Sequence, residues 1–153
     1  MASDHRAIFE RVADVINRQA WDEFGTVFTD DFVEEYPQSG EVIRGLENAL
    51  AVRRNYPGGL GGVDTSSARL PGNGSHWAVT SMFTVVRLEG SGDTATVIFK
   101  ARYPDGATWW LTAVYELRGD KIARSTMLFA PAFDPPDWRE PYREPLERKE
   151  PDA

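Results

Sequence analysis

The chain has 153 residues, 41% hydrophobic and 12% aromatic, enough to bury one core, and it carries a formal charge of −7 at pH 7. The absence of cysteine excludes disulfides, thiolate nucleophiles and cysteine-ligated metals, and two histidines far apart in sequence, His5 and His76, do not make a metal cage. The acidic balance, with no Lys/Arg stripe to override it, argues against nucleic acid; the lack of a long apolar run or a secretory layout in MASDHRAIFERV reads as a soluble cytoplasmic protein with no membrane partner.

Ile8, Val12, Val15 and Ile16 recur at i, i+4, i+7, i+8 and predict a first helix with one buried face, capped by Ser3 or Asp4. Trp21, Phe24 and Phe28 predict a short second helix ending near Thr29, with Asp22 and Glu23 in its first turn. Phe32 to Tyr36 reads as a strand, Gln38 to Gly40 as a polar turn, Glu41 to Arg44 as another extended piece, and Leu46 to Asn55 as a third helix. Pro57 and the glycines at 58, 59, 61 and 62 stop that helix, and residues 57–75, with six glycines and two prolines, read as a loop able to act as a lid or a plain connector. Four β-branched and aromatic runs follow: Trp77 to Leu88, Thr94 to Tyr103, Thr108 to Arg118 and Ile122 to Ala130, separated by EGSGD, PDG and GD turns. From Pro131 onward, six of the ten prolines fall in a charged tail that Trp138 and Tyr142 are expected to pin down.

The order of elements predicts an α+β fold, three N-terminal helices packed on a curved, mostly antiparallel sheet, with a domain over residues 1–133 and a tail over 134–153. Period-two alternation sends Trp109, Leu111, Ala113, Tyr115 and Leu117 to the core, together with Val97, Phe99, Ala101 and Tyr103 and with Ser125, Met127 and Phe129. Trp110 and Val114 are left on an apolar outer face, which predicts a homodimer through the sheet. In FVEEY the same alternation places Phe32, Glu34 and Tyr36 on one face, so Glu34 faces either water or an interior that needs a charge.

A carboxylate among aromatic side chains loses hydration and becomes able to exchange protons near neutral pH, which makes Glu34 the leading acid/base; its competing reading is a strand end that meets water or an arginine. Glu35 points the other way, to the surface. Tyr36 could donate to a developing oxyanion, and His76, at a loop-to-strand junction, could shuttle protons. Gln38, Tyr103, Trp109, Tyr115, Met127 and Phe129 are the candidate substrate-binding residues, suited to a flat or polycyclic apolar ligand, although Gln38 equally suits the satisfaction of turn backbone.

The run AWDEFGTVFTDDFVEEYP, then SGEVIRGLENALAV, then strands ending in KIARSTMLFAPAF, resembles the nuclear transport factor 2-like superfamily and its SnoaL-like, polyketide cyclase-like branch, over roughly residues 5 to 133. The resemblance implies a cone-shaped α+β barrel with an apolar pocket between sheet and helices, and a cofactor-independent acid/base enzyme acting on a hydrophobic carbonyl-containing molecule as a cyclase, isomerase or dehydratase. It equally admits a non-catalytic ligand-binding or association domain on the same shell. The superfamily's ketosteroid isomerases resemble this chain around FTDD and GDKI, yet their general-base position before the proline holds Tyr36, their oxyanion tyrosine falls near Val12 and their buried acid near Ala113. No metal and no organic cofactor are implied.

Overall fold

The computed structural model describes residues 4–56, 77–78, 83–102 and 108–146. The glycine-rich segment 57–75, His76 and Tyr103 lie outside the described residues.

Helix α1 (His5–Asn17) starts where Asp4 accepts a hydrogen bond from the Ala7 N–H at 3.2 Å, and it buries Ile8, Phe9, Val12 and Val15. The expected second helix is a single 3-10 element, Trp21–Thr26, and Phe28 belongs to the strand that follows. The acidic pair Asp30 and Asp31 hides that strand start, since neither residue favours extended structure and the pairing register breaks between Phe28 and Val33. Strand β1 (Phe28–Tyr36) and β2 (Glu41–Arg44) form a hairpin, and Gly45 leads into helix α2 (Leu46–Arg54).

The run from Trp77 to Leu88, read as one strand, is two: β3 (Trp77–Ala78) and β4 (Phe83–Ser91) pair antiparallel, with Trp77 opposite Val85 and Ala78 opposite Thr84. Both faces of that run are apolar, so alternation carried no sign of the reversal. Strands β5 (Thr94–Arg102), β6 (Thr108–Arg118) and β7 (Lys121–Pro131) continue the meander as expected.

All seven strands join one sheet in the order β2-β1-β7-β6-β5-β4-β3. Every pairing is antiparallel except β1 with β7, which is parallel. The barrel expected from the resemblance is therefore, among the described residues, a sheet left open at its β2 and β3 edges. Helix α1 lies on its inner face, where the Phe9 ring meets Tyr115 at 4.9 Å between centroids. Phe24, Phe28 and Phe32 stack in sequence at 4.2 and 4.6 Å, a buried aromatic column that ties the 3-10 element to β1. Burying each such ring contributes about 1.5–3 kcal/mol.

The inner face of β5 to β7 follows the alternation: Ala95, Val97, Phe99, Ala101, Leu111, Ala113, Tyr115, Leu117, Ile122 and Ser125 are all buried. Beyond β7 the chain leaves the sheet and makes a 3-10 turn at Asp137–Tyr142. Trp138 and Tyr142, expected to pin this segment, are instead exposed to solvent. Among the described residues, no helix is long and apolar enough to cross a membrane.

Candidate functional site

Strand β1 points Phe32, Glu34 and Tyr36 to the same inner side, as alternation requires. Glu34 is 0% exposed, in the midst of the apolar core. Its carboxylate is held by Arg53 on α2: one terminal nitrogen donates to Oε1 at 2.8 Å, the other to Oε2 at 3.1 Å. Such a two-pronged pairing fixes both groups in one plane. The same guanidinium donates to the Ala49 carbonyl at 2.9 Å and lies 5.0 Å from the centre of the Phe24 ring. Burial opposes its charge, but the pull of Glu34 prevails and raises the Arg53 pKa above the ordinary arginine value. Arg53 is also the member nearer the surface, its side chain 14% exposed.

Sequence reasoning treated arginine only as a generic partner for Glu34 and did not single out Arg53. Arg53 and Arg54 together look like cations placed to balance a helix C-terminus. The signal lies in the spacing, because Leu46, Ala49, Leu50 and Arg53 fall at i, i+3, i+4 and i+7, and Ala49 is fully buried. The apolar stripe of α2 thus ends on a charge, and that charge lands on Glu34.

Sheet register assembles the rest of the site. Glu34 lies opposite Ser125 on β7, and Ser125 opposite Tyr115 on β6, so three polar side chains cross the inner face in one row. The Ser125 hydroxyl is buried with no hydrogen-bond partner. The neighbouring positions along β7 pair Met127 with Ala113 and Phe129 with Leu111. Tyr36 stacks on Phe129 at 5.5 Å with 24° between the rings. The Glu34 row is sealed, whereas Tyr36, Met127, Phe129 and Trp109 are half-buried, so the inner face grows more accessible toward one end of the sheet. Burial first, and the Glu34 charge second, raise the pKa of Tyr36 and of Tyr115 above the ordinary tyrosine value. Both rings therefore keep their O–H as donors across the physiological range.

The remaining candidates fall elsewhere. Gln38 uses both ends of its amide on Phe129, accepting from its N–H at 2.5 Å and donating to its carbonyl at 2.6 Å, so it clamps the β1–β2 turn to β7. Glu35 points to the outer side, paired with Arg124 and accepting from the Thr126 hydroxyl at 2.9 Å. Among the described residues, no three His, Asp or Glu side chains gather as metal ligands.

Residues 9–125 match the SnoaL-like domain. The chain belongs to the SnoaL-like family. Solved structures place this SnoaL-like domain on the NTF2-like fold. An NTF-2 like protein of unknown function from Burkholderia xenovorans LB400 is 26% identical, with a TM-score of 0.63 over 90% of this chain and 95% of the other. A candidate ketosteroid isomerase from Kribbella flavida DSM 17836 is 25% identical, with a TM-score of 0.68 over 94% and 90%. An LEH-like epoxide hydrolase of M. tuberculosis shares the fold at 16% identity, with a TM-score of 0.58 over 81% and 80%. No match to a curated protein was found.

Proposed function

We propose that this SnoaL-like domain is a cofactor-independent enzyme that moves a proton on a hydrophobic carbonyl-containing molecule, in a cyclisation, isomerisation or dehydration. The observation that carries the reading is a carboxylate enclosed by aromatic side chains and held by a single, more accessible guanidinium. The substrate's apolar body lies on Tyr36, Met127, Phe129 and Trp109, in a cone-shaped chamber between sheet and helices. As it binds, Arg53 turns from Glu34 toward the carbonyl oxygen and one carboxylate oxygen is freed. Glu34 then accepts the proton from the carbon next to the carbonyl. The charge that develops on the oxygen is met by the Arg53 N–H, once it has turned, and by the Tyr36 O–H. Glu34, or His76 from outside the described residues, returns the proton to the product. The candidate isomerase from Kribbella flavida, at 25% identity, supports small-molecule chemistry of this class.

A second reading is favoured by one feature: Arg53 occupies both oxygens of Glu34, as it would if the pair served only to fasten α2 to β1 in a non-catalytic ligand-binding or association domain. A thermal-shift screen of flat aromatic ketones and steroids, followed by turnover of the ligands found, separates the two. The catalytic reading expects at least one ketone to raise the melting temperature and to be converted, with Glu34→Gln slowing conversion by about 10²–10⁴-fold while ligand binding persists. A ketone that binds without conversion favours the second reading, and conversion that Glu34→Gln leaves unchanged removes Glu34 as the base.

A further inference from the structure

We propose that Ser125 is a positioning residue that takes hold of the Glu34 carboxylate when Arg53 lets it go. The inference rests on the catalytic reading above, in which a substrate carbonyl draws the guanidinium away, and it supplies what that step requires: a second donor for a buried charge.

Ser125 is 0% exposed, and its hydroxyl has no hydrogen-bond partner among the described residues. Ile122, Met127 and Phe129, which pack with the core from the same strand, are apolar. A buried hydroxyl left idle costs stability, and an alanine, smaller by that one oxygen, would avoid the cost. An idle hydroxyl at this position is therefore explained by a second state of the site, in which it donates.

Sheet register names the acceptor in that state. Ser125 stands directly opposite Glu34, across the roughly 4.7–4.9 Å that separates neighbouring strands, and both residues are buried on the inner face. At rest Glu34 has no need of the hydroxyl, because Arg53 donates to Oε1 at 2.8 Å and to Oε2 at 3.1 Å. Once the guanidinium turns to a substrate, the carboxylate stays in the core and loses the cation that offset its desolvation. A carboxylate oxygen accepts through two lone pairs, so a hydroxyl on one leaves the other free to take the substrate's proton.

The other donors of the site are already engaged. Tyr36 acts on Glu34 from the same strand, but its O–H is the group that meets the substrate's oxygen. Tyr115 lies one strand further from Glu34, and its ring packs on Phe9 at 4.9 Å. Ser125 is left as the adjacent donor with nothing to hold.

A double-variant cycle in thermal unfolding tests this handover without a substrate. Ser125→Ala alone is expected to keep the melting temperature within about 2 °C of the wild type or to raise it, because the hydroxyl is idle while Arg53 is in place. Arg53→Leu releases the carboxylate permanently. Adding Ser125→Ala to it is expected to lower the melting temperature by a further ~3–12 °C, the loss of a hydrogen bond to a charged group. Arg53→Lys, a cation without the fork that spans both oxygens, replaces Arg53→Leu if that variant does not fold, and Ser125→Ala is again expected to destabilise it more than the wild type. An equal change in both backgrounds overturns the proposal, since the hydroxyl would then have the same partner with and without Arg53.

Binding provides a readout that a merely structural serine would not move. The probes are a flat aromatic ketone found by thermal shift and its analogue with a methylene in place of the carbonyl. Ser125→Ala is expected to weaken the ketone by about 10–100-fold and to leave the analogue unchanged, because only the carbonyl draws Arg53 off Glu34. Equal weakening of both, or of neither, overturns the proposal. Failure of the catalytic reading looks different: the ketone binds without conversion, or Glu34→Gln converts it as fast as the wild type, while the unfolding cycle still decides what Ser125 does.

Discussion

Replacing Arg53 by leucine removes the cation and leaves the Glu34 carboxylate at 0% exposure with no counter-charge. Removing one partner of a buried pair costs about 3–5 kcal/mol, because the surviving charge keeps its desolvation penalty and loses the attraction that offset it. The lost contact with Phe24 adds about 0.5–1 kcal/mol. For a domain of this size each kcal/mol lowers the melting temperature by about 2–4 °C, so Arg53→Leu should fall by roughly 7–24 °C at pH 7. The double variant Glu34→Met/Arg53→Met removes both charges and keeps the volume apolar, and it should recover to within about 2 kcal/mol of the wild type or exceed it. Thermal and urea unfolding followed by circular dichroism measure both. A loss below about 1 kcal/mol for Arg53→Leu would show that water or another cation reaches Glu34. A double variant as unstable as the single one would show that the cost is not that of a stranded charge.

Two further consequences can be measured without a substrate. Tyr36 and Tyr115 have folded pKa values raised above the unfolded tyrosine value, so their contribution to stability is intact below about pH 10 and is lost above it, as the unfolded state ionises while the folded state does not. Stability should fall above pH 10 by up to about 1.4 kcal/mol per pH unit for each ring. Tyr36→Phe/Tyr115→Phe, while folded, should show the same rise in phenolate absorbance between pH 9 and 11 as the wild type; a smaller rise would mean that one of the two rings is open to water. Gly90 sits where α1 crosses the β4–β5 hairpin: an added Cβ would come within 2.5 Å of the Thr94 carbonyl oxygen and 2.9 Å of both the Ala95 Cα and the His5 ring. Gly90→Ala should therefore cost about 1–3 kcal/mol in urea unfolding, and an unchanged midpoint would mean that the hairpin and helix give way freely.

The long strands were legible in the sequence because each of β5, β6 and β7 alternates cleanly and is bounded by glycine-bearing turns. Their inward residues, down to Ser125 on β7, follow from period two alone. Glu34 was legible for the same reason, since Phe32 and Tyr36 bracket it on one face. The 3-10 element, the early start of β1 and the split of Trp77–Leu88 were not, because each depends on pairing between distant segments that local pattern does not encode. The parallel β1–β7 ladder is the plainest case: Glu35 and Arg124 stand 89 positions apart in the chain, and their outer-face ion pair joins the two strands only in the fold. Arg53 stood at the boundary of legibility. Its place on the apolar stripe of α2 was readable, whereas the identity of its partner required the helix to be set against β1. The exposure of Trp138 and Tyr142 was not legible, because an aromatic side chain in a proline-rich segment reads as an anchor to its own domain until the path of the chain beyond β7 is known.

The central claim is that Glu34 takes a proton from carbon beside a carbonyl. It is tested most directly by dissolving a ketone that raises the melting temperature, together with the protein, in D₂O and following loss of its α-proton signal by NMR. The wild type should accelerate exchange over buffer, and Glu34→Gln, folded and still binding the ketone, should exchange about 10²–10⁴-fold more slowly than the wild type. Exchange by Glu34→Gln at the wild-type rate would contradict the account and leave the Glu34–Arg53 pair as a fastener between β1 and α2.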